Sequence, residues 1–324
     1  MSTVTKLRTR LLEEGIIKRV NIPAFQRIGA ELFIAGYGEL NPYVSLNHRL
    51  KVGKELLKSS NTTFLAAGDG DRGFGFSRNY TTAIESILRT EKLADKVQKN
   101  PYKGSNYVFA SFKLARIFRF FNFALLISEA FGIQDPEFIE PSLYFPLLPS
   151  IHLHRRVKTV LAAMVEFPEK NNKELNQITG ISRQTISIIR KKLIENEVIR
   201  AAYIPNIVML GFEVFSFVHL KLRSNAVQRI GKETLRRELG LSSVIFSMIH
   251  AMDILLLHVS IEFITGKHEL FEAMRAAKNA GILREEPMLF MFPASKLIYP
   301  IFHDYATPLN FLFSQENSHP AVSL

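Results

Sequence analysis

Residues 11–40 read LLEEGIIKRVNIPAFQRIGAELFIAGYGEL, and residues 193–222 read LIENEVIRAAYIPNIVMLGFEVFSFVHLKL. Laid over each other, the two stretches share Leu11/Leu193, Glu13/Glu195, Ile17/Ile199, Pro23/Pro205, Gly29/Gly211, Glu31/Glu213 and Phe33/Phe215. The match runs without a gap from Thr3 over Thr185 to Asp71 over Asp253, a constant offset of 182 (185 − 3). After small gaps, NYVFASFKLARIF at 106–118 resembles PMLFMFPASKLIY at 287–299. Self-similarity sustained over this length marks a duplication, with one module present twice. The stretch FIEPSLYFPLLPSIHLH at 138–154, with its three prolines, marks the boundary.

Each copy carries the same alternation of patterns. A helix at Val4 to Glu14, or Gln184 to Asn196, leads into a short basic hairpin-like piece ending in Ile-Pro. A β-branched and aromatic strand follows, at Glu31 to Leu40 and Glu213 to Leu222. Charged amphipathic helices are expected near Leu46 to Lys58 and Ala226 to Leu239. Two strands come next, at Thr62 to Ala67 and Gly73 to Ser77, matched by Val244 to Ile249 and Ile254 to Glu262. A second helix (Thr81 to Val97; His268 to Ala280) precedes a last strand at Tyr107 to Phe112 and Met288 to Phe292. The order βαββαβ is ferredoxin-like and places two helices on one face of an antiparallel sheet. The fold class is therefore α+β.

Composition narrows the chemistry. The 324 residues include no Cys, which excludes disulfides, thiol nucleophiles and Cys-type zinc sites. The start MSTVTKLRTRLLEEG has no apolar signal core, and no run of roughly 18 uncharged apolar residues could span a bilayer. A soluble cytoplasmic protein with no membrane partner is the expectation. Forty-one Lys and Arg against 30 Asp and Glu give +11, a balance that favours polyanionic partners because neutralised phosphates release counterions.

Between the copies lies RRVKTVLAAMVEFPEKNNKELNQITGISRQTISIIRKKLIENEVIRAAYIP. It reads as three helices, Arg156 to Glu166, Lys173 to Thr179 and Arg183 to Glu195. Gly180 suits the left-handed turn after the second helix, and Ser182 suits the cap of the third. Ile186, Ile189 and Leu193 would then be buried. Arg183, Gln184, Thr185, Ser187, Arg190 and Lys191 fall on or beside the outer face, with Arg200 on the wing that follows. Arg, Gln and short hydroxyl side chains are what major-groove base edges and flanking phosphates accept, so a winged helix-turn-helix that binds double-stranded DNA is the expectation. Arg183, Gln184 and Ser187 are its base-side candidates and Arg190, Lys191 and Arg200 its phosphate contacts, with Ser182 and Thr185 completing the expected DNA-binding set.

The segments ITGISRQTIS (178–187) and KKLIENEVIRAAYIPNIVMLGFEVFSFVHLKL (191–222) resemble the Lrp/AsnC family of transcription regulators. The resemblance implies an N-terminal winged helix joined to a βαββαβ effector domain, dimeric DNA binding, and tuning by a small metabolite. It also implies an effector site at a Gly-Asp hairpin, matched here by Gly68, Asp69, Gly70 and Asp71. Two modules in one chain would pair as an internal pseudo-dimer, with further homo-oligomerisation left open. The expected division is a partial winged helix at 1–28, a first ferredoxin-like domain at 29–120 and a connecting helix and linker at 121–153. A winged helix at 154–208, a second ferredoxin-like domain at 209–302 and a C-terminal tail at 303–324 complete it. The first winged helix is incomplete, because Met1 to Val4 already overlie Arg183 to Ile186. Upstream coding sequence for two more helices is expected, since Val4, Leu7 and Leu11 would otherwise expose an apolar face.

Other signals carry less. Gly68 to Gly73 matches G-x-G-x-x-G as a string, but Phe74-Gly75-Phe76 reads as a strand where a dinucleotide site needs a helix. Asp69 and Asp71 lack the downstream carboxylate of a calcium loop, and His152-x-His154 lacks further ligands. No metal, cofactor or catalytic group is expected. The rival reading is an enzyme: sirohaem decarboxylases also look like Lrp/AsnC proteins and use paired modules. That reading needs a shielded pocket with converging His, Arg and Tyr. The candidates would be His219, His250 and His258 in the second copy, against Tyr37, Gly68 and Phe76 in the first. A partner-binding protein without DNA reading is the third alternative.

Overall fold

The computed structural model describes residues 3–39, 61–67, 70–95, 105–133, 149–226 and 242–316, with a few positions between 44 and 51. The amphipathic helices expected at 46–58 and 226–239 lie largely outside the described residues. In chain order the first copy contributes α1 (Thr3–Glu13), β1 (Ile17–Pro23), β2 (Leu32–Glu39), β3 (Thr62–Ala67), β4 (Gly70–Ser77), α2 (Tyr80–Asp95), β5 (Asn106–Ser111), β6 (Arg116–Phe120) and α3 (Ala124–Ala130). Then come α4 (Arg155–Glu166), α5 (Asn172–Thr179), α6 (Arg183–Glu195) and β7 (Ile199–Pro205). The second copy continues with β8 (Val214–Lys221), β9 (Val244–His250), β10 (Asp253–Ser260), α7 (Phe263–Asn279), β11 (Met288–Pro293), β12 (Ile298–Ile301) and α8 (Ala306–Glu316).

The expected fold class is observed. Each copy builds an antiparallel sheet, β3-β4-β2-β5 in the first and β9-β10-β8-β11 in the second, the strand order of a ferredoxin-like domain. Equivalent registers repeat: Leu32 faces Ser77 and Ser111, and Val214 faces Ser260 and Pro293. The helix-side core of the second sheet joins Val218, Leu220, Ile254 and Leu256 to Leu270 of α7. Its opposite face, with Phe217, Phe246, Met248 and Leu255, is equally buried, so these strands read as continuous apolar runs rather than alternating ones.

The duplication extends further than the sequence match. Phe112 N–H donates to Glu31 O, and Ala294 N–H to Glu213 O, so the offset of 182 still holds at the last strand of each module. This places Asn106 over Met288, one residue away from the pairing with Pro287 that side-chain similarity gives. The same offset carries β6 onto β12 and α3 onto α8, down to the Asn122 and Asp304 side chains that accept from the backbone N–H of Ala124 and Ala306. The stretch 303–324, expected as a tail, thus contains a helix packed on α4 and on β3 and β4. Between the hairpin strands the offset becomes 183, because the second copy carries one extra residue there. Asp71 therefore superposes on Ile254, not on Asp253, as the pairs Gly38/Asp71 and Leu220/Ile254 require.

The edge strands are exchanged. β6, which follows the first module, pairs with β9, while β12, which follows the second, pairs with β3. Two compact units result. One comprises Met1–Ile17, Lys113–Pro146 and Ile204–Leu297; the other comprises Lys18–Phe112, Leu147–Tyr203 and Ile298–Leu324. The first holds the second sheet with β6 and α3. The second holds the first sheet with β12, α8 and the three helices α4–α6.

Candidate functional site

The helix-turn-helix is assembled by local signals that the sequence spells out. Asn171 caps α5, accepting from the N–H groups of Lys173 and Glu174 at 2.8 and 3.1 Å, and Glu174 accepts in return from Asn171 N–H at 2.9 Å. This reciprocal box satisfies backbone donors that the helix cannot. Gly180 ends α5 in the left-handed conformation, with φ 70°. Two residues on, Ser182 caps α6 by accepting from Thr185 N–H at 3.3 Å. Ile186, Ile189 and Leu193 are buried against a core that includes Val160, Leu161, Met164 and Leu175.

That packing leaves one face of α6 to solvent. Arg183, Gln184, Ser187 and Lys191 are exposed and Thr185 is half-buried. Ile188 and Ile194 are exposed among them. Lys191 is paired with Glu195 at 3.7 Å, and Arg200 with Glu197 at 3.3 Å. Arg190 is placed differently from its neighbours. Its Nη2 donates to the Lys170 carbonyl at 2.9 Å, and burial, then the positive charge of Arg19, holds its pKa below the ordinary arginine value.

The wing is built from both copies. β7 pairs with β1 in a two-stranded ribbon instead of folding back on itself. Ala24 N–H donates to Val198 O, and Asn206 N–H to Ile16 O. Exchanging the copies turns one bond into the other, the signature of an isologous contact. Asn21 of β1 reaches the Met164 carbonyl at the end of α4 (2.8 Å), Arg27 donates to Asn196 O, and Arg19 lies 3.6 Å from Glu169. Arg19 thus joins the basic surface beside the helices. Sequence reasoning missed it because nothing local in KRVNIP ties it to a helix so distant in the chain.

Of the expected effector residues, Gly68 and Asp69 lie outside the described residues. Gly70 and Asp71 stand at the start of β4, opposite Glu39 and Gly38, so the string Gly68 to Gly73 leads into a strand. Of the three histidines weighed for the enzyme reading, His219 and His250 share one face of the sheet beside Asp253, and His258 does not join them. His219 sits opposite Leu255, and His258 opposite Ser216, three residues further along β10 and therefore on the other face of the sheet. His219 Nε2 lies 2.8 Å from Asp253 Oδ1, and His258 Nε2 lies 3.2 Å from Glu269 Oε2. His250 is half-buried, which lowers its pKa against the opposing pull of Asp253. In the first copy the register puts Tyr37 at the place of His219, and Gly75, not Phe76, at the place of His258. An added Cβ at Gly75 would stand 2.6 Å from the Asn61 carbonyl oxygen, so that strand crossing admits no side chain.

Among the described residues no helix is long and apolar enough to cross a membrane. No family model and no curated protein matches the chain. The solved structures it is similar to include regulators and an enzyme. The siroheme decarboxylase NirDL aligns over 97% of this chain and 88% of its own, at 12% identity and TM-score 0.49. AsnC from E. coli aligns over 44% of this chain and 93% of its own, at 18% identity and TM-score 0.34. A transcriptional regulator from Neisseria meningitidis, solved as an L-Met complex, aligns over 50% and 99%, at 15% identity and TM-score 0.38.

Proposed function

We propose that the chain is a sequence-specific DNA-binding transcription regulator of Lrp/AsnC type, working in the cytoplasm. The observation that supports this reading is α6: capped, buried along Ile186, Ile189 and Leu193, and carrying Arg183, Gln184 and Ser187 exposed on its first two turns. Helices of this construction enter the major groove with their N-terminal residues toward base edges. Lys191, whose exposed ion pair is too weak to hold it, and Arg200 on the wing supply phosphate contacts. Arg190, tied to Lys170, orients the turn before it reaches a phosphate. The β1–β7 ribbon supports an internal pseudo-dimer, with one chain imitating the two-fold symmetry of dimeric regulators. A small-molecule effector at Gly68 to Asp71 belongs to the same reading.

Selection from random duplex DNA, followed by a salt titration, tests it. Recovery of a defined motif, with affinity falling steeply as salt rises, is the expected result. Weak binding without a motif would overturn the reading and bring the enzyme alternative forward.

A further inference from the structure

The unit that holds the second sheet contains a cavity of about 340 Å³, lined from β10, the first turns of α7 and the helix α3. Among the described residues three carboxylates line it, Glu129, Glu262 and Glu269, and no Lys, Arg or His does. Glu269 is held in place from below: Ser243 Oγ donates to it at 3.0 Å, and the fully buried His258 Nε2 lies 3.2 Å from the same oxygen. The His258 contact keeps the Glu269 carboxyl below its ordinary pKa, so it is charged at neutral pH. His258 Nδ1 is buried without a hydrogen-bond partner. Glu129 accepts from Ser242, and Glu262 from Thr265 at 3.1 Å. The rest of the wall combines apolar Leu126, Phe212 and Ile261 with the hydroxyl side chains of Ser243, Ser260 and Thr265.

The duplication supplies an internal reference. At the equivalent places the unit that holds the first sheet has Phe311 for Glu129, Asn79 for Glu262 and Ser86 for Glu269, with Gly75 for His258. Ser86 and Asn61 hydrogen-bond at 2.9 Å where Glu269 and Ser243 do, so the scaffold is kept while all three charges are particular to one side. Structural needs alone would not have added three carboxylates and a buried histidine to one unit.

Among the described residues no three such side chains lie close enough to share one metal ion. Carboxylates that cannot share one ion, lining a cavity with apolar residues, instead match a molecule with more than one cationic group and a hydrocarbon middle. We propose that this cavity binds an aliphatic diamine or polyamine, with its ammonium groups on Glu269 and on Glu262 or Glu129 and its methylenes against Leu126, Phe212 and Ile261. Among the described residues a carboxylate on the same skeleton would meet only like charge, which disfavours amino acids and a polyanionic tetrapyrrole. The site is independent of the DNA reading, since binding needs neither α6 nor DNA.

The test is isothermal titration of the full chain with 1,5-diaminopentane, and in parallel with lysine, the same skeleton plus one carboxylate. One diamine per chain, and lysine weaker by at least about tenfold, is expected. Glu262→Asn and Glu269→Gln should each weaken the diamine by about tenfold or more, as removal of a charge-assisted contact does. Glu286→Gln, on an exposed acid paired with Lys278, should leave it unchanged. Glu262→Asn tests the site even if Glu269→Gln disturbs the fold, because Glu262 is exposed. No saturable binding, equal affinity for lysine, or equal loss from Glu286→Gln would overturn the proposal by reducing it to general attraction of cations.

Discussion

Arg183 and Lys191 lie two turns apart on α6, and the DNA reading assigns them different work. Arg183→Ala should erase discrimination between sites. Lys191→Ala should weaken all duplexes alike and lower the dependence of log affinity on log salt by about one. Competition binding at several salt concentrations separates the two, and equal behaviour of both variants would remove the distinction. His303 is a second telling residue. It is fully buried at φ 50°, a left-handed conformation costly for any side chain, and Phe121 occupies the equivalent place at φ 51°. Burial, reinforced by the charge of Lys18, pushes the His303 imidazole down to about 3. The unfolded chain therefore takes up a proton below about pH 6.5 that the folded chain refuses. Stability falls with decreasing pH, by up to about 1.4 kcal/mol per pH unit, until about pH 3 is reached. His303→Phe, which copies the first module, should flatten this acid limb in urea unfolding measured from pH 7 to 4. Parallel curves for the two proteins would show that the acid sensitivity originates elsewhere.

The same helix meets different fates in the two copies. In α6 the apolar face packs on α4 and α5, with Ile186 0% and Ile189 8% exposed. In α1 the equivalent Val4 and Leu7 are 73% and 52% exposed. Truncation costs should differ accordingly. Ile186→Ala should destabilise by about 2–5 kcal/mol, the range for emptying a packed site. Leu7→Ala should change stability by less than about 0.5 kcal/mol, as exposed positions do. Thermal unfolding of the two variants checks this, and similar losses would mean that α1 is packed in solution. The repeat also shows how one backbone plan tolerates different chemistry. Gly15 and Glu197 share a left-handed turn after equivalent helices, at φ 69° and 52°. Glycine takes that conformation freely, and the second copy keeps it with a side chain that pairs with Arg200.

Across the whole molecule the decisive feature is the exchange of edge strands. Neither sheet is completed by its own copy: β6 closes the second and β12 the first. An uncovered edge strand is a row of unpaired backbone groups, so separated copies should be poorly soluble. Fragments 1–133 and 149–324, expressed separately, should be unstable alone and recover the far-ultraviolet signal and cooperative unfolding of the intact chain when refolded together. Two independently stable fragments would argue that the exchanged strands matter little.

The repeat, the α+β class, the helix-turn-helix with its Gly180 turn and Ser182 cap, and the exposed face of α1 were all legible in the order of residues. They depend on local periodicity and capping, which act within a few residues and so leave a mark in a few residues. Two sequence-level pairings slipped by one residue, Asp71 with Asp253 and Asn106 with Pro287, because similarity of side chains cannot see a hairpin insertion that only the hydrogen-bond register resolves. The pairing of β1 with β7, the exchange of β6 and β12, the tie from Arg190 to Lys170 and the acidic cavity beside α7 were invisible in the same way. Each joins groups far apart in the chain through backbone ladders or single side-chain contacts. Nothing in a strand's own sequence says which open edge it will meet; that is settled by which edges remain unpaired once both cores have closed.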